Sequence, residues 1–156
     1  AGASVDTVAV AQAFHWFDIP LAAKEARRIL RPPRNAAVFW NDRDSGASAL
    51  MSDYEELIKR HNTDHEKVRH TNITPESITT FFGAPEAWTL ARFANTQESD
   101  EAGFVARVVS SSSVPALGQP GFDEMAAATR ELFRDHQRNG FVTLHYSVRL
   151  YFGHLV

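Results

Sequence analysis

Cysteine is absent from the 156 residues. That excludes a disulfide scaffold, a thiolate nucleophile and any cysteine-ligated zinc or iron–sulfur centre. No apolar run approaches the roughly 18 residues that a membrane-spanning helix needs. The eight glycines lie at 2, 46, 83, 103, 118, 121, 140 and 153, and no two form a G-x-G. None follows a strand and opens a helix, so the chain has no loop that brings backbone amides up to a nucleotide. An excess of one charge is missing too. Sixteen Lys and Arg stand against nineteen Asp and Glu, and the basic residues are scattered, which argues against a nucleic-acid footprint. No basic residue precedes an apolar block at the amino end, so a secretory leader is not expected and the expected location is cytoplasmic.

What is present suits a globular α/β chain. Hydrophobic residues make up 44 %, and 156 residues can enclose one core, so a single domain over 1–156 is expected. Val5–Ala11 is a short, nearly continuous apolar run of β character, expected as a strand buried on both faces. Asp18 is placed to cap a helix with Pro20 in its first turn and Leu21, Ala22, Ala26, Ile29 and Leu30 on one side. Arg31-Pro32-Pro33-Arg34 should end that helix. Ala36–Trp40 then reads as a second strand, parallel to the first through a right-handed crossover.

Further along, Leu50, Met51, Tyr54, Leu57, Ile58 and His61 step at helical spacing. Thr74-Pro75-Glu76 starts a short helix that Gly83 stops. Trp88–Gln97 suits a strand. Asp100 and Glu101 open another helix, a Ser-, Pro- and Gly-rich loop follows from Ser110, and Phe122 to Arg138 is amphipathic. From Val142 to Phe152 apolar and polar residues alternate, which predicts a strand with Val142, Leu144, Tyr146, Val148, Leu150 and Phe152 facing one way. The element order is β-α-β-α-α-β-α-α-β.

Two stretches carry a resemblance. Ser4-Val5-Asp6-Thr7-Val8 leads to Ala11-Gln12-Ala13-Phe14-His15-Trp16-Phe17-Asp18, and the next helix runs Ala22-Ala23-Lys24-Glu25-Ala26-Arg27-Arg28-Ile29-Leu30-Arg31-Pro32. They resemble the fourth strand, the turn after it and the following helix of class I S-adenosylmethionine-dependent methyltransferases, in the small-molecule branch. Ala36–Trp40 is then similar to strand five, with Asn41-Asp42-Arg43-Asp44 after it, and Val142–Phe152 to the strand that inserts antiparallel beside strand five. The resemblance covers the C-terminal half of that family. It implies a partial Rossmann-like sheet of about four strands, mixed parallel and antiparallel, with helices on both faces. It also implies S-adenosylmethionine as cofactor and a small-molecule acceptor.

The departure from the family is the glycine-rich turn, which holds most of the cofactor there and is lacking here. The chain therefore reads as truncated and as incomplete for catalysis alone. A strand at Val5–Ala11 without its neighbours would present an apolar edge of unpaired backbone groups, a template for pairing. A homodimer through that edge is the expectation. A non-catalytic binding or assembly module derived from the fold, and one half of a split enzyme completed by another chain, stay open beside it.

The candidate site lies just beyond the carboxyl ends of the two parallel strands, where open α/β sheets bind ligands. By resemblance, Gln12, Ala13, Phe14 and Trp16 border the cofactor, and His15 is the candidate base for a hydroxyl or carboxyl acceptor. An aromatic face at Phe14 or Trp16 would favour a sulfonium cation. Asn41 and Arg43 are candidates for binding substrate, Arg43 by a bidentate clamp on a carboxylate. The plain alternatives are a structural histidine, core aromatics and a surface loop. His61, His65 and His70 lack the glutamate of a zinc-protease helix and read as a polar loop, so no metal is expected. Arg130, Arg134 and Arg138 read as a solvated helix face.

Overall fold

The computed structural model describes residues 2–63 and 73–156. Four strands, β1 (Val5–Ala11), β2 (Leu30–Arg43), β3 (Trp88–Ser99) and β4 (Val142–His154), form one mixed sheet in the order β1-β2-β4-β3, flanked by helices. The helices are α1 (Ile19–Ile29), α2 (Ala49–Arg60), α3 (Pro75–Phe82), α4 (Glu101–Val109) and α5 (Phe122–His136). The alternation of strands and helices follows the sequence expectation element by element.

Local chemistry sets most of the boundaries. Asp18 Oδ1 accepts the Leu21 N–H at 3.1 Å and starts α1. Ser48 caps α2 and Asp100 caps α4 in the same way. Thr74 and Ser77 exchange the two bonds of a capping box ahead of α3, which Gly83 ends at φ 104. One boundary differs from expectation. β2 begins at Leu30, directly after α1, and runs through Pro32 and Pro33. Proline has no N–H to give a ladder, and the parallel register breaks there: Val5 faces Leu30, whereas Thr7 already faces Asn35. Regular pairing then holds from Thr7 to Ala11 against Asn35 to Phe39.

The described residues fall into two compact units. The first takes those within 1–42, 68–93 and 148–156, and its core joins Val10, Phe14, Val38, Trp40, Ile78, Phe81, Phe82, Tyr151 and Leu155. The second takes those within 43–67 and 94–147 and gathers Met51, Tyr54, Phe104, Met125, Phe133 and Leu144 around α2, α4 and α5.

Two burial expectations are corrected. β1 is not covered on both faces: Val10 is buried, Val8 is half-buried, and Val5, Thr7, Ala9 and Ala11 are exposed. The strand order leaves β1 at the sheet edge, so among the described residues only its β2 side is paired. Nor does β4 keep one buried face. In the second unit Val142, Leu144 and Tyr146 are buried, whereas in the first Tyr151 and Leu155 are buried and Phe152 is 43 % exposed.

Candidate functional site

β1 and β2 are parallel, and their carboxyl ends meet where Gln12 donates its N–H to the Phe39 carbonyl at 3.0 Å. Gln12 leaves the strand at φ 55, a left-handed conformation that a side chain with a Cβ adopts at a cost of about 1–2 kcal/mol. The turn continues as a single 3-10 helix over Phe14–Trp16, closed by Trp16 N–H to Ala13 O and Phe17 N–H to Phe14 O. Asp18 then starts α1. Strain at the end of a parallel strand is a common mark of a ligand-facing turn.

Gln12→Gly is expected to raise stability by up to about 1 kcal/mol, because glycine relieves the left-handed strain and gives back part of it as backbone entropy. Urea unfolding checks this. A lower midpoint would mean that the Gln12 side chain, rather than the turn, holds that backbone conformation.

The turn divides its aromatics. Trp16 is 62 % exposed, with its ring tilted against the half-buried His15 imidazole at 4.8 Å between centroids. Phe17 is also exposed. Phe14 is wholly buried, edge-on to Trp40 at 6.0 Å and to Phe81 at 5.3 Å. The expectation that Phe14 lines the cofactor is therefore corrected: its ring is spent on the core and offers no surface. Ala13 is half-buried and Gln12 exposed, so Gln12, Ala13, His15 and Trp16 remain together on the rim. Asn41, half-buried near the end of β2, belongs to the same unit.

Arg43 does not. It belongs to the second unit, where its Nε and Nη2 both donate to Glu55 Oε2, at 3.2 and 3.1 Å. Its guanidinium lies 5.2 Å from the Tyr54 ring centroid. Burial pushes the Tyr54 phenol pKa up, and the Arg43 charge pulls partly against it. Arg43 thus has a carboxylate partner and an aromatic neighbour inside the second unit.

β4 brings another cation, Arg149, into the first unit. Leu155 N–H donates to Arg34 O, and Asp44 N–H donates to His145 O; as β2 advances ten residues β4 retreats ten, which is an antiparallel ladder. That register sets Arg149 across from Trp40. Arg149 Nε pairs with Asp42 Oδ2, and its Cζ lies 6.0 Å from the Trp40 ring centroid. A charge inside Val148-Arg149-Leu150-Tyr151-Phe152 is the sequence signal that could have singled it out.

A separate cavity of about 480 Å³ opens at the other end of β2, beside Asn35, Glu86, Trp88, Phe152 and His154. His65 and His70 of the histidine group lie outside the described residues. No helix among the described residues is long and apolar enough to cross a membrane.

No family model matches the chain. Over 86 residues, 55 % of its length, it is 38 % identical to uncharacterized methyltransferases of Mycobacterium tuberculosis and Mycobacterium bovis. A shorter stretch of 42 residues is 50 % identical to an uncharacterized methyltransferase of Schizosaccharomyces pombe. The match covers 34 % of the mycobacterial proteins and 17 % of the yeast one, so the chain matches about a third or less of these relatives' length. A solved structure provisionally described as a type II methyltransferase from Anaeromyxobacter dehalogenans superposes on 99 % of this chain with a TM-score of 0.62, at 20 % identity and over 66 % of its own length. The sheet, the turn after β1 and β4 beside β2 thus give this chain a class I methyltransferase-like fold.

Proposed function

We propose that this chain supplies the acceptor side of an S-adenosylmethionine-dependent small-molecule methyltransferase and is incomplete as a catalyst alone. The observation that carries this reading is the exposed Trp16 indole, tilted against His15 at the carboxyl end of β1. An electron-rich ring face suits a sulfonium cation and is worth about 0.5–2 kcal/mol there. Gln12 and Ala13 flank it. The donor set fits the methionine end of the cofactor. It does not fit the nucleotide end, for which no glycine turn exists in the sequence.

S-adenosylmethionine, when bound, supplies an electrophilic methyl group on sulfur. The residues of this chain orient the acceptor, exclude water and move a proton. His15 takes the proton that a hydroxyl or carboxyl acceptor gives up, and Asn41 holds the acceptor by its amide. The edge strand β1 is where the structure is completed: two copies pair through Val5–Ala11 about a two-fold axis, giving a continuous sheet.

The test follows the amide and indole resonances of the labelled chain during titration with S-adenosylmethionine, with the mass in solution fixed by light scattering. The expected result is a dimer and weak, saturable shifts confined to Gln12–Trp16, lost in Trp16→Ala. Shifts elsewhere, or none, would remove the reading, and a monomer would remove the β1 pairing.

A further inference from the structure

We propose that Arg149 is the specificity-determining residue of this rim and that it binds a carboxylate on the acceptor. The inference rests on the rim being the acceptor site. It deepens that reading by naming a cation of the same unit as the rim, whereas Arg43 belongs to the other unit.

Arginine presents five N–H donors in a planar fork. Asp42 engages Nε, and through that bond it holds the guanidinium above its already high ordinary range, against the opposing effect of burial; the Tyr151 hydroxyl adds to the same effect. The Asp42 bond fixes the orientation of the fork and leaves it most of its donors. The side chain is 21 % exposed, so the remaining nitrogens reach the surface instead of ending in the core. The Trp40 ring beneath the guanidinium fixes its plane further. Trp40 is in turn packed against Phe14, the buried residue of the turn that carries His15 and Trp16. A cation locked by a carboxylate on one edge and an indole on one face is preorganised for two parallel hydrogen bonds to a second carboxylate. A strand-to-strand tie alone would need only the Asp42 bond.

The Trp40 indole N–H is buried and has no hydrogen-bond partner among the described residues, which makes its resonance a sensitive local reporter. The probe is benzoate, with benzamide as the neutral match of equal shape. Benzoate is expected to shift the Trp40 indole and Arg149 Nε resonances saturably, and benzamide is not. Arg149→Lys keeps the charge and loses the fork, and should weaken benzoate about tenfold. Arg149→Gln should abolish the response, and Arg43→Gln should leave it unchanged. Near-UV circular dichroism confirms that each variant is folded. Equal shifts with benzamide, an unchanged affinity in Arg149→Lys, or no response to benzoate in the folded parent chain would each overturn the assignment. S-adenosylmethionine titrated separately reports on the cofactor reading, so the failure of one is told from the failure of the other.

Discussion

Gly153→Ala is expected to destabilise the protein by about 3 kcal/mol or more, at the upper end of what overpacking does. A methyl group built at Gly153 would stand 2.0 Å from the Ala87 carbonyl oxygen and 2.9 Å from the Trp88 Cα. Both obstacles are backbone, so no rotamer change relieves them. The end of β4 would have to move away from the start of β3. That shift would strain the Leu155 N–H bond to Arg34 O and the Val156 N–H bond to Phe82 O, which anchor the last residues in the first unit's core. At about 2–4 °C per kcal/mol for a chain of this size, the melting temperature should fall by roughly 10 °C. Gly46→Ala is the control, because its added methyl would meet only the Asp44 side chain, at 3.7 Å. A Gly153→Ala melting temperature equal to that of the control would show that the chain ends are far more loosely held than the geometry implies.

The residues that were legible in the sequence share one property: their partners are close in the chain. Asp18, Thr74 and Asp100 cap helices three residues ahead of the N–H they accept, and Gly83 takes the left-handed turn that a helix end favours. The parallel pair β1–β2 followed from an apolar run, a helix and another apolar run, and the place of β4 beside β2 followed from the family resemblance. What was not legible depends on layers that meet far apart in sequence. A period of two says that β4 has two faces, but not that Phe152 is exposed while Tyr151 is buried. Asp42 and Arg149 are 107 residues apart, and nothing in Asn41-Asp42-Arg43 marks Asp42 as the residue that reaches across while Arg43 turns to Glu55. The Pro32–Pro33 stretch reads locally as a stop, yet β2 passes through it by shifting its register against β1.

The same limit applies to the aromatic turn, where Phe14 and Trp16 are indistinguishable as sequence and opposite as structure. Phe14→Ala should lower stability by about 3–5 kcal/mol, the range for removing a buried phenyl ring. The ring has no exposed surface, and its edge-to-face contacts with Trp40 and Phe81 would be replaced by a cavity between β2 and α3, within the first unit. Trp16→Ala should change stability by no more than about 0.5 kcal/mol, since most of the ring already faces solvent. For ligand the order reverses. Trp16→Ala should lose the S-adenosylmethionine response, whereas Phe14→Leu, which keeps most of the buried volume, should retain it. Urea unfolding followed by far-UV circular dichroism gives the first pair of values, and the resonance titration gives the second. A small loss in Phe14→Ala together with a large one in Trp16→Ala would mean that the indole, and not the phenyl ring, closes the core. The indole would then be unavailable to a sulfonium, and the methyl-transfer reading would lose the observation that carries it.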